Sequence, residues 1–207
     1  MDAKKLTEAI LKAKTDIVRE VYDRLPRKVG VIATNHFRQN FRNSGFMDGG
    51  NHPWLPSKRQ LENGKDSKYG TLLSRRNHLM MSITSIPGVG EVTIRNDVPY
   101  AQIHNEGGQF DTHPTVTAKL RKFAWYKVYS LSGIKKSKGK KGKLPKQLSP
   151  EAEVWKAIAL TKKQKLNIHI NMPQRQFIGE SKELREKIEA EIKASIERIE
   201  ASVLRFT

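Results

Sequence analysis

The chain has 207 residues, of which 37% are hydrophobic and 29% charged, and it carries a formal net charge of +18. That length is enough for one hydrophobic core, and the charge predicts contact with nucleic acid, a membrane surface or an acidic protein. The absence of cysteine excludes disulfides, thiolate metal sites and cysteine nucleophiles. No stretch has the pattern of a signal peptide or of a membrane span, so we expect a soluble protein that binds no membrane.

The first forty residues or so predict helix. Apolar residues recur at steps of three and four from Leu6 to Leu25, and the pattern resumes from Val29 to Phe41. Proline cannot donate a backbone hydrogen bond inside a helix. The pattern therefore predicts a long first helix, a break at Pro26 and a second helix.

Residues 45–70 contain several glycines and prolines, which is typical of an irregular loop. Trp54 is the large apolar residue expected to anchor that loop. Helical spacing of leucine and methionine then extends from Leu72 to Ile83. We therefore expect a loop followed by a third helix.

Strand patterns follow this helix. Residues 91–95 alternate polar with apolar side chains, and residues 100–104 fit either a short strand or a helical turn before two glycines. Residues 166–172 alternate again, and Pro173 ends the pattern because it cannot donate to a strand ladder. These segments predict one small, mainly antiparallel sheet.

A block of different composition separates these strands. Residues 119–165 contain 15 lysines and arginines and 2 glutamates, which gives +13 of the net charge of +18. Thr117 to Leu131 has the spacing of a short basic helix, and residues 134–146 are of low complexity. We therefore predict one domain over residues 1–207, with a basic, partly flexible insertion at residues 109–165.

The lysines of this insertion are the candidate contacts to DNA or to an acidic protein partner, because lysine-rich segments bind phosphate backbones without reading sequence. They are Lys135, Lys136, Lys138, Lys140, Lys141, Lys143 and Lys146. Four aromatic residues precede them: Phe123, Trp125, Tyr126 and Tyr129. Such side chains can stack on bases, but we expect them to pack the short helix onto a core.

The C-terminal segment predicts an amphipathic helix. Apolar residues step by three or four from Leu184 to Val203, and Ser181 is placed to cap the helix N-terminus. Together the patterns predict an α+β fold, in which long N-terminal helices and this C-terminal helix pack on the small sheet.

A metal or catalytic site has little support. His104, Glu106 and His113, with Asp111 nearby, offer ligand atoms, but their spacing matches no zinc motif. No serine lies in a nucleophile-elbow pattern, and no glycine-rich loop precedes a helix in the way that phosphate binding requires. We therefore predict no enzyme activity and no cofactor.

Two segments carry a family resemblance: residues 92–108 (VTIRNDVPYAQIHNEGG) and residues 172–181 (MPQRQFIGES). With the NHFRQNF segment at residues 35–41 and the LLSRRNHLMMSI segment at residues 72–83, they resemble the phage virion morphogenesis family. That family includes the Mu-like G protein and tail-completion proteins of tailed phages. The resemblance covers most of residues 1–108 and 166–205.

The motif residues of these segments are expected to have structural roles. They are Tyr100, His104, Gly107, Gly108, Pro173, Arg175, Phe177 and Gly179. The glycine pair predicts a turn with positive φ, Arg175 offers a planar fork to a carboxylate, and Phe177 is expected to anchor the chain. Where family members carry Thr-Gly, this chain has Arg76-Asn77, and asparagine tolerates the left-handed backbone that a glycine would allow. The insertion is also larger and more basic than is usual in the family.

The resemblance implies a structural assembly protein of a tailed phage or prophage, located in the virion and assembled in the cytoplasm of the bacterial host. Its partners would be other copies of itself in a ring, and tail or neck proteins at the tail end or the head–tail junction. Phage DNA would pass through the ring, close to the basic insertion. The charge alone leaves a stand-alone nucleic-acid-binding protein open, and a metal-dependent enzyme would need His104, Glu106 and His113 to converge.

Overall fold

The computed structural model describes residues 3–61, 66–134 and 144–204, and its mixture of helices with small sheets confirms the predicted α+β class. The helices are α1 (Ala3–Arg19), α2 (Leu25–Asn43), α3 (Lys58–Leu61), α4 (His78–Met81), α5 (Ala101–Glu106), α6 (Ala118–Leu131), α7 (Pro150–Leu160) and α8 (Lys182–Leu204), with a π-helical turn at Glu20–Arg24. The strands are β1 (Gly45–Met47), β2 (Asn51–Pro53), β3 (Ile83–Pro87), β4 (Val92–Asn96), β5 (Gly108–Thr112) and β6 (Ile168–Met172).

The chain forms two compact units. One comprises Met1–Gly108 together with Met172–Thr207, and the other comprises Gln109–Asn171. The basic insertion predicted at residues 109–165 falls within the second unit. That the whole chain behaves as a single domain stays a prediction.

The break expected at Pro26 is not present, because the chain remains helical from α1 through the π-helical turn into α2. Leu25 donates its N–H to the carbonyl of Glu20, five residues earlier, which is the π-helical pattern. Pro26 lies in the first turn of α2, where proline is tolerated. The carbonyl of Tyr22, which a proline four residues later cannot bind, accepts the N–H of Gly90 at 3.4 Å instead.

The strands form three separate two-stranded sheets, β1–β2, β3–β4 and β5–β6, where one small sheet was expected. The first two pairs are antiparallel, with Gly45 opposite Pro53 and Ile83 opposite Asn96. The β1–β2 pair replaces part of the loop predicted over residues 45–70. The predicted strand at 91–95 is confirmed as β4, one residue later, and the strand ending at Pro173 is confirmed as β6.

The helix expected from Leu72 to Ile83 is wrong except for the single turn of α4. Leu72 and Asn77 have positive φ angles of 61° and 47°, which interrupt a right-handed helix. The tolerance of left-handed backbone expected at Asn77 is thus confirmed. Beyond α4 the chain extends into β3, a strand that the leucine and methionine spacing concealed.

The core of the first unit lies between α2, the first two sheets, α5 and the N-terminal end of α8. Trp54 is buried and anchors its segment as predicted, but Phe46 in the same segment is buried too. The buried apolar residues are Ala33, Phe37, Phe41, Phe46, Trp54, Leu79, Met80, Ile83, Val98, Ala101, Phe177 and Leu184.

In the second unit, the predicted basic helix is confirmed as α6, with the Thr117 hydroxyl accepting the N–H of Leu120 as its cap. It packs against α7, which the sequence patterns did not predict. Small apolar side chains fill the contact: Ala124, Val128, Ala152 and Ala159 are buried. Alanine and valine at the contact let two short helices approach closely.

The predicted cap of α8 is also confirmed, since the Ser181 hydroxyl accepts the N–H of Leu184 at 3.2 Å. The β1–β2 turn adds a second cap, with the Asp48 carboxylate accepting the N–H of Lys182 at 2.9 Å. In return Glu183 accepts the N–H groups of Gly49 and Gly50 at 3.1 and 3.0 Å. These hydrogen bonds, after one from its own backbone amide, hold the pKa of Glu183 below its usual value. The turn and the helix N-terminus therefore position each other.

Four charged side chains connect the π-helical turn, α2 and α8 in one network, and Arg24 lies 3.7 Å from Glu20 beside it: the four are Glu20, Lys28, Glu191 and Arg198. Lys28 Nζ lies 2.7 Å from Glu20 and 3.3 Å from Glu191. Arg198 lies 2.7 Å from Glu191 and 3.6 Å from Glu20. Glu20 is buried, so its carboxylate depends on these cations. In the described residues, no helix is both long enough and apolar enough to cross a bilayer.

Candidate functional site at the junction of the two motif segments

The two motif segments meet where α5 ends. The carbonyl of His104 accepts the backbone N–H of Arg175 at 2.8 Å. The side-chain Oδ1 of Asn105 accepts the N–H groups of Phe177 and Ile178, each at 2.9 Å. One backbone carbonyl and one side-chain oxygen thus bind backbone amides of the second segment, the latter across 72 and 73 positions of sequence, which makes the junction a fixed part of the fold.

The helical alternative for residues 100–104 is confirmed as α5, and the predicted glycine turn follows it. Gly107 and Gly108 have φ angles of 72° and 133°. A Cβ atom at Gly107 would lie 2.7 Å from the backbone nitrogen of Gln174, closer than real contacts allow. Glycine is therefore required at Gly107 both for its backbone conformation and for the close approach of the second motif segment.

Phe177 anchors the second segment, as predicted. It is fully buried, with its ring 5.1 Å from that of Phe41. Its carbonyl accepts the side-chain amide of Asn40 at 3.2 Å, and the carbonyl of Gln176 accepts the indole N–H of Trp54 at 2.8 Å. Two buried side chains thus donate hydrogen bonds to backbone carbonyls of the segment that follows β6.

Three further motif residues lie around this junction. Tyr100 precedes α5, is partly exposed, and its hydroxyl lies 3.3 Å from Nδ1 of His78. Pro173 directly follows β6. A Cβ atom at Gly179 would meet the flexible side-chain amide of Gln176.

Arg175 binds no carboxylate of this chain within the described residues, so its pairing with a carboxylate stays a prediction. Its Nε donates to the carbonyl of Leu55 at 2.9 Å, its Nη2 to that of Pro56 at 3.5 Å, and its Nη1 to the sulfur of Met172 at 3.8 Å. Leu55 and Pro56 follow β2 and lie outside the strands that the structure describes, so the guanidinium satisfies their carbonyls. Only 6% of Arg175 is exposed, and this burial lowers the pKa of its guanidinium.

A cleft of about 280 Å³ lies beside this guanidinium. Two cationic side chains, Arg59 and Arg175, line it together with the imidazole of His104 and the ring of Tyr100. Burial, and then the neighbouring charge of Arg175, lower the pKa of His104. The cleft is therefore a concave site in which positive charge is concentrated.

In the described parts of the chain, no three His, Asp or Glu side chains lie close enough together to hold a metal ion. The structure therefore does not support the metal-site hypothesis there. His113 has its Nδ1 3.0 Å from the Asn167 side-chain oxygen. Asp111 lies 2.9 Å from Nδ1 of His169. Both contacts connect neighbouring positions of the segments at β5 and β6.

The candidate lysines of the insertion fall largely outside the described residues, which exclude Lys135, Lys136, Lys138, Lys140, Lys141 and Lys143. Lys146 is described and is exposed before α7. The expected core packing of the aromatic residues on α6 is wrong for Phe123 and Tyr126, which are 46% and 56% exposed. The Phe123 ring instead forms a T-shaped pair with the Trp155 ring, with the ring centroids 5.6 Å apart, and Trp125 and Tyr129 are half-buried.

Sequence patterns missed Asn105, the residue that joins the two segments. Its only signal is its type, because asparagine often binds backbone amides near a helix end. The sequence patterns also missed the Asn40 amide and the Trp54 indole as donors to the second motif segment. Their partners are backbone carbonyls far away in sequence.

The sequence model of the phage virion morphogenesis family matches residues 2–197, nearly the whole chain. Searches of curated proteins and of solved structures returned no significant match.

Proposed function

Because this chain belongs to the phage virion morphogenesis family, we propose that it completes the tail end or the head–tail junction of a tailed-phage particle. The family supports a structural role in phage assembly and association with the virion. The family match over residues 2–197 is the observation that carries this proposal. The protein acts as a component of the particle, assembled in the cytoplasm of its bacterial host, and not as an enzyme.

The partners of this role are other copies of the chain, arranged in a ring, and the adjoining tail or neck proteins. Exposed apolar side chains on the long helices support self-association. Ile10 and Ile17 on α1 are 59% and 42% exposed, and Ile192 and Ile196 on α8 are 38% and 50% exposed. Apolar side chains repeated along a helix face have a lower free energy when another subunit covers them than when they face water.

The basic insertion supports a location close to DNA. Residues 119–165 of the insertion carry a net charge of +13, which would attract the phosphate backbone of DNA that passes through such a ring, without sequence preference. A protein that only bound nucleic acid would have no need of the helix faces described above. Those faces favour the assembly role over the stand-alone nucleic-acid-binding alternative.

The proposal is tested in the phage or prophage that encodes the chain. Deletion of the gene should leave tails and DNA-filled heads that do not form infectious particles, and the wild-type gene supplied in trans should restore them. Counting joined and separate particles by electron microscopy measures the defect. Normal infectious particles without the protein would contradict the proposed function.

A second arm tests self-association. The double variant Ile192→Glu/Ile196→Glu should shift the purified protein from oligomer to monomer in light scattering and fail to restore particles. Val89→Glu is the matched control, because Val89 is 81% exposed in the β3–β4 turn. If the wild-type protein remains monomeric at every concentration tested, the proposed ring is wrong.

A further inference from the structure

Arg175 is a buried cation without a counter-charge among the described residues. Its contacts are two carbonyl oxygens and a thioether sulfur, all of them neutral. A buried guanidinium is costly unless an anion compensates it, and only 6% of this one is exposed. These three hydrogen bonds leave two of the five N–H groups of the guanidinium without an acceptor in the described parts of the chain.

A second cation lies on the same cleft. Arg59 Nη2 donates to the carbonyls of Gly70 and Leu73 at 3.1 and 2.8 Å, and its Nε is buried with no acceptor in the described residues. Nδ1 of His104 is likewise buried without a partner there. Three nitrogen-bearing side chains on one cleft thus retain hydrogen-bonding capacity that the described residues do not use.

The described lining of the cleft carries no acidic side chain to balance them. Its remaining walls are of two kinds. Leu72, Leu73 and Leu79 are apolar, while Ser57, Thr71 and Ser74 bear hydroxyl groups. A ligand that fits has an anionic head with several acceptor sites and a short aliphatic stem.

We infer that this cleft binds the carboxylate of an acidic side chain from a neighbouring protein, with Arg175 and Arg59 as its counter-charges. An aspartate or glutamate has both required parts, because its carboxylate accepts up to four hydrogen bonds and its methylene groups suit the leucine wall. Inorganic phosphate or a DNA backbone would leave that wall uncovered. The identity of the neighbour as a virion protein rests on the proposed function; the carboxylate site itself does not.

The experiment uses the purified full-length protein and N-acetylglutamate α-amide, whose only charge is the side-chain carboxylate. The imidazole signal of His104 in NMR should shift saturably with this compound, and the signal of His52 in the β1–β2 hairpin should not. Sodium chloride at equal ionic strength should leave both signals in place. A titration that moves both histidines equally, or neither, would overturn the carboxylate site.

Two variants and one competing ligand sharpen the result. Arg59→Gln, checked for folding by circular dichroism, should weaken binding at least about tenfold, since a charge-assisted hydrogen bond is lost. Glu62→Gln should bind as the wild type does; if it binds much more tightly, Glu62 of the chain itself supplies the anion and the inference fails. Inorganic phosphate should not shift His104, and an equal shift would assign the cleft to phosphate instead. Because none of these measurements involves tail assembly, their failure is distinct from failure of the proposed function.

Discussion

The side chain of Asn105 accepts the backbone N–H of Phe177 at 2.9 Å, and this one oxygen also accepts the next N–H along the chain. The contact fixes the end of α5 to the segment that leads into α8. It therefore holds together two stretches of sequence that 63 residues of another compact unit separate.

Replacement of Asn105 by alanine should leave two backbone amides without an acceptor. We expect a loss of about 2 to 3 kcal/mol in the free energy of unfolding, measured by urea denaturation, because unsatisfied buried donors are costly. Asn105→Asp retains an acceptor oxygen and should recover most of the loss. Gln102→Ala is the control on the same helix, since the Gln102 side chain is exposed and donates to the carboxylate of Glu106 on the same helix. Equal effects at both positions would contradict the role given to Asn105.

Two glycines with similar φ angles should respond differently to alanine. Gly107 and Gly49 have φ angles of 72° and 66°, so either substitution strains the backbone by about 1 kcal/mol or more, and the strain is larger at Gly107, whose ψ of −170° lies in a region that is essentially limited to glycine. A Cβ atom at Gly49 meets nothing within 4 Å, whereas at Gly107 it meets the backbone of Gln174. Gly107→Ala should therefore cost about 1 to 3 kcal/mol more than Gly49→Ala in thermal or chemical denaturation. Similar losses would show that the close approach at Gly107 has no energetic consequence.

Stability should depend on acid pH through the four-charge network. The hydrogen bond from Lys28 lowers the pKa of Glu20, and that from Arg198 lowers the pKa of Glu191, both from an ordinary value of 4.5. Because these carboxyls are more acidic in the folded state, their contribution is complete above pH 4.5 and is lost as the pH falls through the folded-state pKa values.

Glu20→Gln should accordingly lower the free energy of unfolding at neutral pH by about 1 to 2 kcal/mol, since Glu20 is buried but its cations are partly exposed. The difference from the wild type should shrink as the pH is lowered below 4.5. Glu186→Gln, an exposed carboxylate on α8, is the control and should change neither value. A Glu20→Gln difference that stays constant down to acid pH would contradict the assignment.

DNA binding should depend on the basic insertion. Deletion of residues 134–146 removes seven lysines, so the logarithm of the binding constant should fall less steeply with the logarithm of salt concentration. Fluorescence anisotropy with a labelled duplex over a salt series measures the slope. Equally weak binding by the deletion variant and the intact protein would contradict contact between these lysines and DNA. Unequal binding to duplexes of different sequence would contradict a purely electrostatic mode.

Local sequence signals identified the elements that depend on local interactions. The period of α8 and the serine at its start, the alternation of β4 and β6, and the spacing of α6 all express contacts within a few residues. The turn at Gly107 and the anchor at Phe177 were also predicted, because a glycine pair is typical of a turn and phenylalanine is typical of a buried position.

Elements that depend on distant partners were not identified. The π-helical turn is stabilised in part by Gly90, whose N–H takes the carbonyl that Pro26 cannot bind. For Arg175 the residue type indicated a carboxylate, but nothing in the sequence indicated that its guanidinium also binds the carbonyls of Leu55 and Pro56. The short β3 strand was hidden because its apolar residues follow a helical spacing that the left-handed backbone at Leu72 and Asn77 interrupts.

The pairing of β5 with β6 has a consequence for how the chain can change in length. These strands bring the start and the end of residues 109–171 side by side, so the chain returns to the place from which it left. The entropy lost on closing such a loop grows only with the logarithm of its length, and a doubling costs about 0.6 kcal/mol. Insertion and deletion within this segment are therefore thermodynamically inexpensive. The first compact unit can therefore carry either a short connection or a long basic segment between β5 and β6. That segment can be exchanged without changes to the rest of the first unit.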